Sequence, residues 1–250
     1  MSAIVMIHGL FGHLQVPEVH VALKQFKVHA PDLIGYGAHR TADTGALTLD
    51  DQADHVIAYI EKLDAERVHL LGHSVGGAVA MLVAHRRPEL LASLTSVEGN
   101  FTQKDAFWSG QIAQKADAEV EAIIDGFRRD PCAWIGGAVE KQSELTDRLA
   151  REWLDYQPAS TIKAQARAVV KATGQDSYLR EVQATMESSL PIHLISGVRS
   201  AAGWDVPVWA NDLCVSRFNI PNTGHLMMVE DPKAFAAAVM IGIGYGGSSG

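Results

Sequence analysis

Cysteine is nearly absent from this 250-residue chain: Cys132 and Cys214 could form at most one bridge, and neither stands in a Cys-x-x-Cys or Cys/His metal spacing. A reduced, cytoplasmic chain without a disulfide framework is therefore expected. At this length folding buries roughly three quarters of the extended chain's surface, so no structural metal is needed to hold a core. Basic runs are also missing. Nothing longer than Arg86-Arg87 or Arg128-Arg129 occurs, and 21 Lys+Arg against 29 Asp+Glu leave a formal charge of −8, which argues against a nucleic-acid partner. No apolar run reaches the roughly 18 residues of a membrane span. The opening residues Met1–His8 lack the positive region and long apolar stretch of a signal peptide, so no membrane partner is expected. Proline and glycine are scattered, no repeat is evident, and 47% apolar residues exclude a disordered or low-complexity chain. His-Glu-x-x-His and P-loop strings are absent. Gly35-Tyr36-Gly37 lacks the third glycine of a dinucleotide loop, so neither cofactor nor metal is expected.

Short continuous apolar runs, each stopped by a turn signal, read as strands buried on both faces: Ile4–Ile7, Phe26–Ala30, Val68–Leu71, Leu91–Val97, Pro191–Ser196 and Val215–Ile220. Helical period separates them at Ala46–Leu63, Gly76–His85 and Asp231–Ile241. Strand and helix in alternation imply an α/β fold, a doubly wound, mostly parallel sheet of about six strands. Between about Gln103 and Ser189 only helix-period patterns occur, as in Ala118–Phe127, Ser143–Tyr156 and Ile162–Thr173. This stretch reads as a helical insertion, 103–189, into a core of 1–102 and 190–243, with 244–250 as a flexible tail.

Chemistry is concentrated at strand ends. Gly72-His73-Ser74-Val75-Gly76 is a G-x-S-x-G string placed directly after one strand run and directly before a helix run. That context suits a tight strand-to-helix turn presenting the Ser74 hydroxyl as a nucleophile, against the alternative of a serine that merely caps the helix. After the first strand, His8-Gly9-Leu10-Phe11-Gly12 offers a loop whose Leu10 N–H, with the Val75 N–H, would form an oxyanion hole. Of 11 histidines, His29, His69 and His193 fall inside strand runs, and His55 and His85 inside helical ones, where packing explains them. His225 instead follows the last strand in Pro221-Asn222-Thr223-Gly224-His225, a turn from which an imidazole reaches a serine hydroxyl as base.

The His-Gly loop, Asp32-Leu33-Ile34-Gly35-Tyr36-Gly37, the Ser74 string and Gly224-His225 together resemble the α/β-hydrolase family across the chain outside its insertion. The resemblance implies Ser, acid and His at strand tops in that order, with a cap inserted after the strand following the nucleophile helix. By this resemblance the first strand run is expected to correspond to what would be the family's third strand, as in compact members such as plant hydroxynitrile lyases and small esterases. It departs at the acid: a Gly-x-x-Asp pattern after Pro191–Ser196 is replaced by Gly197-Val198-Arg199-Ser200. Glu98, at the end of the neighbouring strand, is the preferred acid, a place some family members use, and Asp205 is the alternative.

Aromatic residues gather in or beside the insertion. Phe11, His73, Phe101, Trp108 and Trp134 are expected to border a substrate pocket, while Trp153, Phe107, Trp204 and Trp209 serve equally well as core. The expected activity is hydrolysis of a small apolar carboxylic ester or lactone through an acyl-enzyme on Ser74, with His225 as base. Two rivals remain open: C–C bond hydrolysis or lyase chemistry on the same scaffold, and a non-enzymatic ligand receptor.

Overall fold

A computed structural model of the chain describes residues 2–246. Its strands are β1 (Ala3–Ile7), β2 (Lys27–His29), β3 (Val68–His73), β4 (Leu91–Val97), β5 (Ile192–Gly197) and β6 (Ser216–Ile220). All pair in parallel, in the order β2-β1-β3-β4-β5-β6. Parallel strands need crossovers that cover both faces, which is why the inner strands read as unbroken apolar runs. Residues of β1 alternate accordingly. Ala3, Val5 and Ile7 enter one core layer, Ile4 and Met6 the other.

The first layer holds α2 (Leu49–Ile60) and α3 (Val75–Arg86), and the second holds α1 (Pro17–Ala22) and α12 (Pro232–Gly246). α2 begins three residues later than its apolar period suggests. Thr48 caps it, accepting from the Asp51 N–H at 3.1 Å while its own N–H donates to the Asp51 carboxylate at 2.9 Å. α12 runs through Gly246, with Ile243 still packed, so the first residues expected in a 244–250 tail continue the helix. Residues 247–250 lie outside the described residues.

Between β4 and β5 come α4 (Phe107–Ala113), α5 (Asp117–Arg129), α6 (Pro131–Gly136), α7 (Glu144–Asp155), α8 (Ala159–Thr173) and α9 (Asp176–Met186). α4, α5 and α8 pack together on the first-layer side, whereas Ile135 of α6 and Leu149 of α7 join the second. α9 packs on α3, covering the crossover into β5. Beyond β5 follow α10 (Val208–Leu213) and the four-residue α11 (Met227–Glu230). The strand histidines are structural: His69 Nδ1 meets Ser93 Oγ at 2.8 Å and His193 Nδ1 meets Ser216 Oγ at 2.8 Å, each across a strand pair. Among the described residues no helix is long and apolar enough to cross a membrane, and both cysteines are unbridged.

Register decides where the chemistry falls. Ile7 pairs with Gly72, His73 with Val97, Val97 with Ile195 and Gly197 with Ile220. The segments leaving β1, β3, β4, β5 and β6 therefore emerge along one edge, the carboxyl edge where open α/β sheets bind ligands.

Candidate active site

Ser74 joins β3 to α3 with φ 54° and ψ −125°, a conformation costly for a side-chain-bearing residue and held by what surrounds it. Glycine flanks it because backbone passes too close for anything larger. A Cβ on Gly72 would lie 2.3 Å from the Gly76 carbonyl oxygen, and one on Gly76 would lie 2.3 Å from that of His8. The Ser74 N–H donates to Val97 O at 3.0 Å, locking the turn onto β4. Although Ser74 is the N-cap residue of α3, its hydroxyl makes no capping hydrogen bond. The capping alternative thus lacks its defining contact.

Glu98 leaves β4 with φ 41°, another strained position, and its N–H donates to Ile195 O at 3.0 Å. That twist carries the carboxylate sideways beneath the turn after β6. Glu98 Oε2 lies 2.6 Å from His225 Nδ1, while Oε1 accepts the Gly197 N–H at 2.9 Å and the Ser200 hydroxyl. The Glu98 side chain is 5% exposed against 44% for His225. Burial pushes the Glu98 carboxyl up, but the His225 hydrogen bond and charge, the Ser200 hydroxyl and the Gly197 N–H outweigh it and hold it below the usual carboxylate value. An ionised Glu98 accepts only, so His225 Nδ1 must carry a proton, which in the neutral ring leaves the lone pair on Nε2.

Asp205 sits elsewhere. Its carboxylate accepts from the Thr102 hydroxyl at 2.7 Å and Lys104 Nζ at 3.3 Å, and its N–H donates to Asp105 at 2.7 Å. The structure thus brings Glu98 to His225 and leaves Asp205 pinning a loop.

Ser74 and His225 both border a cavity of about 390 Å³. Gly9, Leu10, Phe11 and His73 line it from the sheet side, and Phe107, Trp108, Trp134 and Trp153 from the inserted helices. Phe11 meets Trp108 edge-on at 5.1 Å and Trp134 at 5.2 Å. Val75 follows Ser74 as the first residue of α3, its side chain in the core. His73 donates its Nε2–H to the His225 carbonyl oxygen at 2.9 Å, because a carbonyl can only accept. Burial, reinforced by the neighbouring His225, lowers the His73 pKa to about 3, so its ring is neutral. Burial also lowers His8 to about 4, and that ring accepts the Leu33 N–H at 3.3 Å, shaping the loop that presents Leu10.

Phe101 corrects one expectation: it is 1% exposed and packs on Trp204 at 5.8 Å within the core, not on the cavity. Its place is explained by the loop's anchors, since Trp204 Nε1 donates to Gly99 O at 2.7 Å and Tyr178 Oη to Asn100 O at 2.6 Å, drawing the segment inward. Trp153 was not separated from core aromatics by sequence, yet it lines the cavity against Gly12. A Cβ on Gly12, whose φ is +66°, would lie 2.1 Å from Trp153 Cγ, so the fifth residue of the His-Gly loop is glycine to admit an indole from α7. Asn100, Asp105, Ser109, Ala138 and Leu226 also line the cavity without a distinctive sequence signal, apart from Asn100 standing two residues after Glu98.

The sequence pattern of the alpha/beta hydrolase family matches residues 4–238. The pimeloyl-[acyl-carrier protein] methyl ester esterase of Pectobacterium carotovorum is 27% identical over 95% of this chain and 92% of its own length. A solved structure among carboxylesterases of the ammonia-oxidizing thaumarchaeon Nitrososphaera gargenis superposes with a TM-score of 0.74 at 18% identity, covering 98% of this chain and 90% of that one. A haloalkane dehalogenase variant from Bradyrhizobium elkanii also reaches 0.74, at 19% identity over 97% and 89%. Those two likenesses establish the fold and, between an esterase and a dehalogenase, leave the bond cleaved to the site itself. With the six-stranded parallel sheet, the Ser74 turn at its carboxyl edge and the family's pattern running through nearly the whole chain, this protein belongs to the alpha/beta hydrolase family of enzymes.

Proposed function

We propose that the protein is a serine hydrolase of small carboxylic esters or lactones of apolar character, with Ser74 as nucleophile, His225 as base and Glu98 as acid. The observation that carries this reading is the 2.6 Å contact of His225 Nδ1 with a buried Glu98, beside a cavity that Ser74 also borders. His225 Nε2 takes the hydroxyl proton as Ser74 Oγ bonds to the ester carbonyl carbon, and returns it to the departing alcohol oxygen as the C–O bond breaks. Water then attacks the acyl-enzyme, gives a proton to Nε2, and the acid leaves as that proton returns to Ser74 Oγ. The N–H groups of Leu10 and Val75 are the donors for the carbonyl oxygen; Val75, as the first residue of α3, has no acceptor within the helix. Glu98 holds the His225 tautomer and offsets its positive charge.

Residues 103–189 act as the cap, because Phe107, Trp108, Trp134 and Trp153 supply most of the cavity's aromatic wall. An apolar wall around a few polar groups suits a small uncharged ester. The relative named as a methyl ester esterase is in keeping with this class. Two unbridged cysteines fit a cytoplasmic setting.

A fluorophosphonate probe tests the mechanism. The expected result is one adduct on Ser74, located by peptide mass spectrometry, together with turnover of p-nitrophenyl esters. Turnover without a Ser74 adduct would move the chemistry to proton abstraction by His225, the route of a C–C hydrolase or lyase. Saturable binding without turnover would make the chain a receptor.

A further inference from the structure

The turn that carries His225 has no regular secondary structure of its own between the end of β6 at Ile220 and α11, and within it Asn222 takes φ 58°. Such a segment samples several positions unless tied down, and a base displaced by about 1 Å can lose on the order of 100-fold in rate. Arg199, just past β5, provides part of the tie: its N–H donates to Thr223 O at 3.0 Å and its Nη1 to Asn222 O at 2.9 Å.

The rest comes from Glu230, at the end of α11. Its side chain is 5% exposed, and both oxygens are occupied by donors. Oε2 accepts the Gly224 N–H at 2.6 Å. Oε1 accepts Arg199 Nη2 at 2.7 Å and the Glu140 N–H at 2.9 Å. Arg199 Nη1 also reaches the Glu140 carboxylate at 3.2 Å. A buried carboxylate is tolerable only when satisfied in this way, and charge-assisted bonds to it are the strong ones. Gly224 immediately precedes His225, while Glu140 lies in the link between α6 and α7, the helices that carry Trp134 and Trp153.

We propose that Glu230 is a positioning residue for His225, its carboxylate fixing the turn through the Gly224 N–H and tying that turn to the helices above the cavity through Arg199 and the Glu140 N–H. The proposal rests on His225 being the base, so its test includes a readout independent of turnover. Glu230→Gln keeps the size but replaces one acceptor oxygen by a donor, so either Gly224 or the Arg199–Glu140 side loses its acceptor. On p-nitrophenyl acetate, kcat is expected to fall about 10- to 100-fold with KM changed less than about threefold. The low-field proton resonance of His225 Nδ1, expected in the wild type and absent from Glu98→Gln, should shift or vanish. Glu18→Gln, which removes an exposed pair with Arg148, serves as a charge-loss control with unchanged kinetics.

Wild-type kcat and an unshifted resonance in folded Glu230→Gln overturn the proposal. Should that variant fail to fold, Arg199→Lys takes its place: a single ammonium cannot serve Glu230, Glu140 and Asn222 O together, and kcat should fall about 3- to 10-fold at unchanged KM. No change in kcat there overturns it. Should Ser74→Ala retain turnover, the serine mechanism fails and the resonance alone decides: a shift in Glu230→Gln supports the positioning role, and an unshifted signal ends it.

Discussion

The hydroxyl of Ser200 donates to the carboxylate of Glu98. Ser200 stands third after Gly197, the place from which α/β-hydrolases commonly supply their acid, so the serine found there hydrogen-bonds to the carboxylate that reaches His225 from the neighbouring strand. A carboxylate supplied from the end of β4 can reach the same turn as one from β5 because Val97 pairs with Ile195 and the Glu98 N–H bonds to Ile195 O, which sets the two strand ends side by side. Glu98→Gln should lower kcat by about 10²–10⁴ with little change in KM, whereas Asp205→Asn should retain most activity. Steady-state kinetics on one short ester distinguish them, and the reverse pattern would transfer the role to Asp205.

Ser74→Ala should abolish hydrolysis while leaving the thermal midpoint nearly unchanged, since the hydroxyl caps nothing and its removal opens little space. Retention of more than about a hundredth of the wild-type rate would count against Ser74 as nucleophile.

Trp108→Ala or Trp134→Ala should raise KM for long or bulky apolar esters more than for acetate, because each ring contributes on the order of 1–3 kcal/mol of apolar contact only to substrates that reach it. Phe101→Leu, in the core, should lower stability without that chain-length dependence. A p-nitrophenyl ester series from acetate to decanoate measures both. Equal KM changes along the series would take the tryptophans out of the binding wall.

Acid should unfold the protein earlier than its carboxylates alone would dictate. Burial lowers His8, His13 and His193 to about 4 and His73 to about 3, from an ordinary value of 6.5. Between those values the unfolded chain holds protons that the folded chain refuses, so stability is full above about pH 6.5 and declines as pH falls toward 4. Each group adds a slope of about 1.4 kcal/mol per pH unit at most. Glu98, held below its ordinary value, loses its contribution only under still more acid conditions, as pH falls below about 4. Thermal midpoints measured from pH 7.5 to 4.5 should therefore drop steadily below about 6.5. A flat profile down to 4.5 would show that these rings take up protons without unfolding.

The strands were legible because burial on both faces leaves little room for polar residues: Leu91–Val97 is a strand with the very limits its composition indicates. The turns that carry Ser74 and His225 were legible because glycine marks each of them. Periodicity failed where identity depends on a distant partner. Phe101 and Phe107 are indistinguishable as letters, yet Trp204 and Tyr178 draw the first segment into the core, while the second stands 70% exposed at the cavity. α1 escaped notice because six residues with Val19 alone buried carry almost no amphipathic signal. Trp153 looked like any core aromatic, and the close approach that Gly12 allows it accounts for its place.

The hydrogen bond from Tyr178 Oη to Asn100 O sets limits on any attempt to exchange the inserted helices between relatives. Tyr178 belongs to α9, which packs on α3, and Asn100 follows Glu98 by two residues. A graft that replaced everything between β4 and β5 would discard Glu98 along with the tyrosine that secures its loop. A transplant that imports a new cavity wall while keeping Glu98 and its loop has to join after Asn100 and end before Asp176, so that the wall becomes a portable module and Glu98 stays with the host.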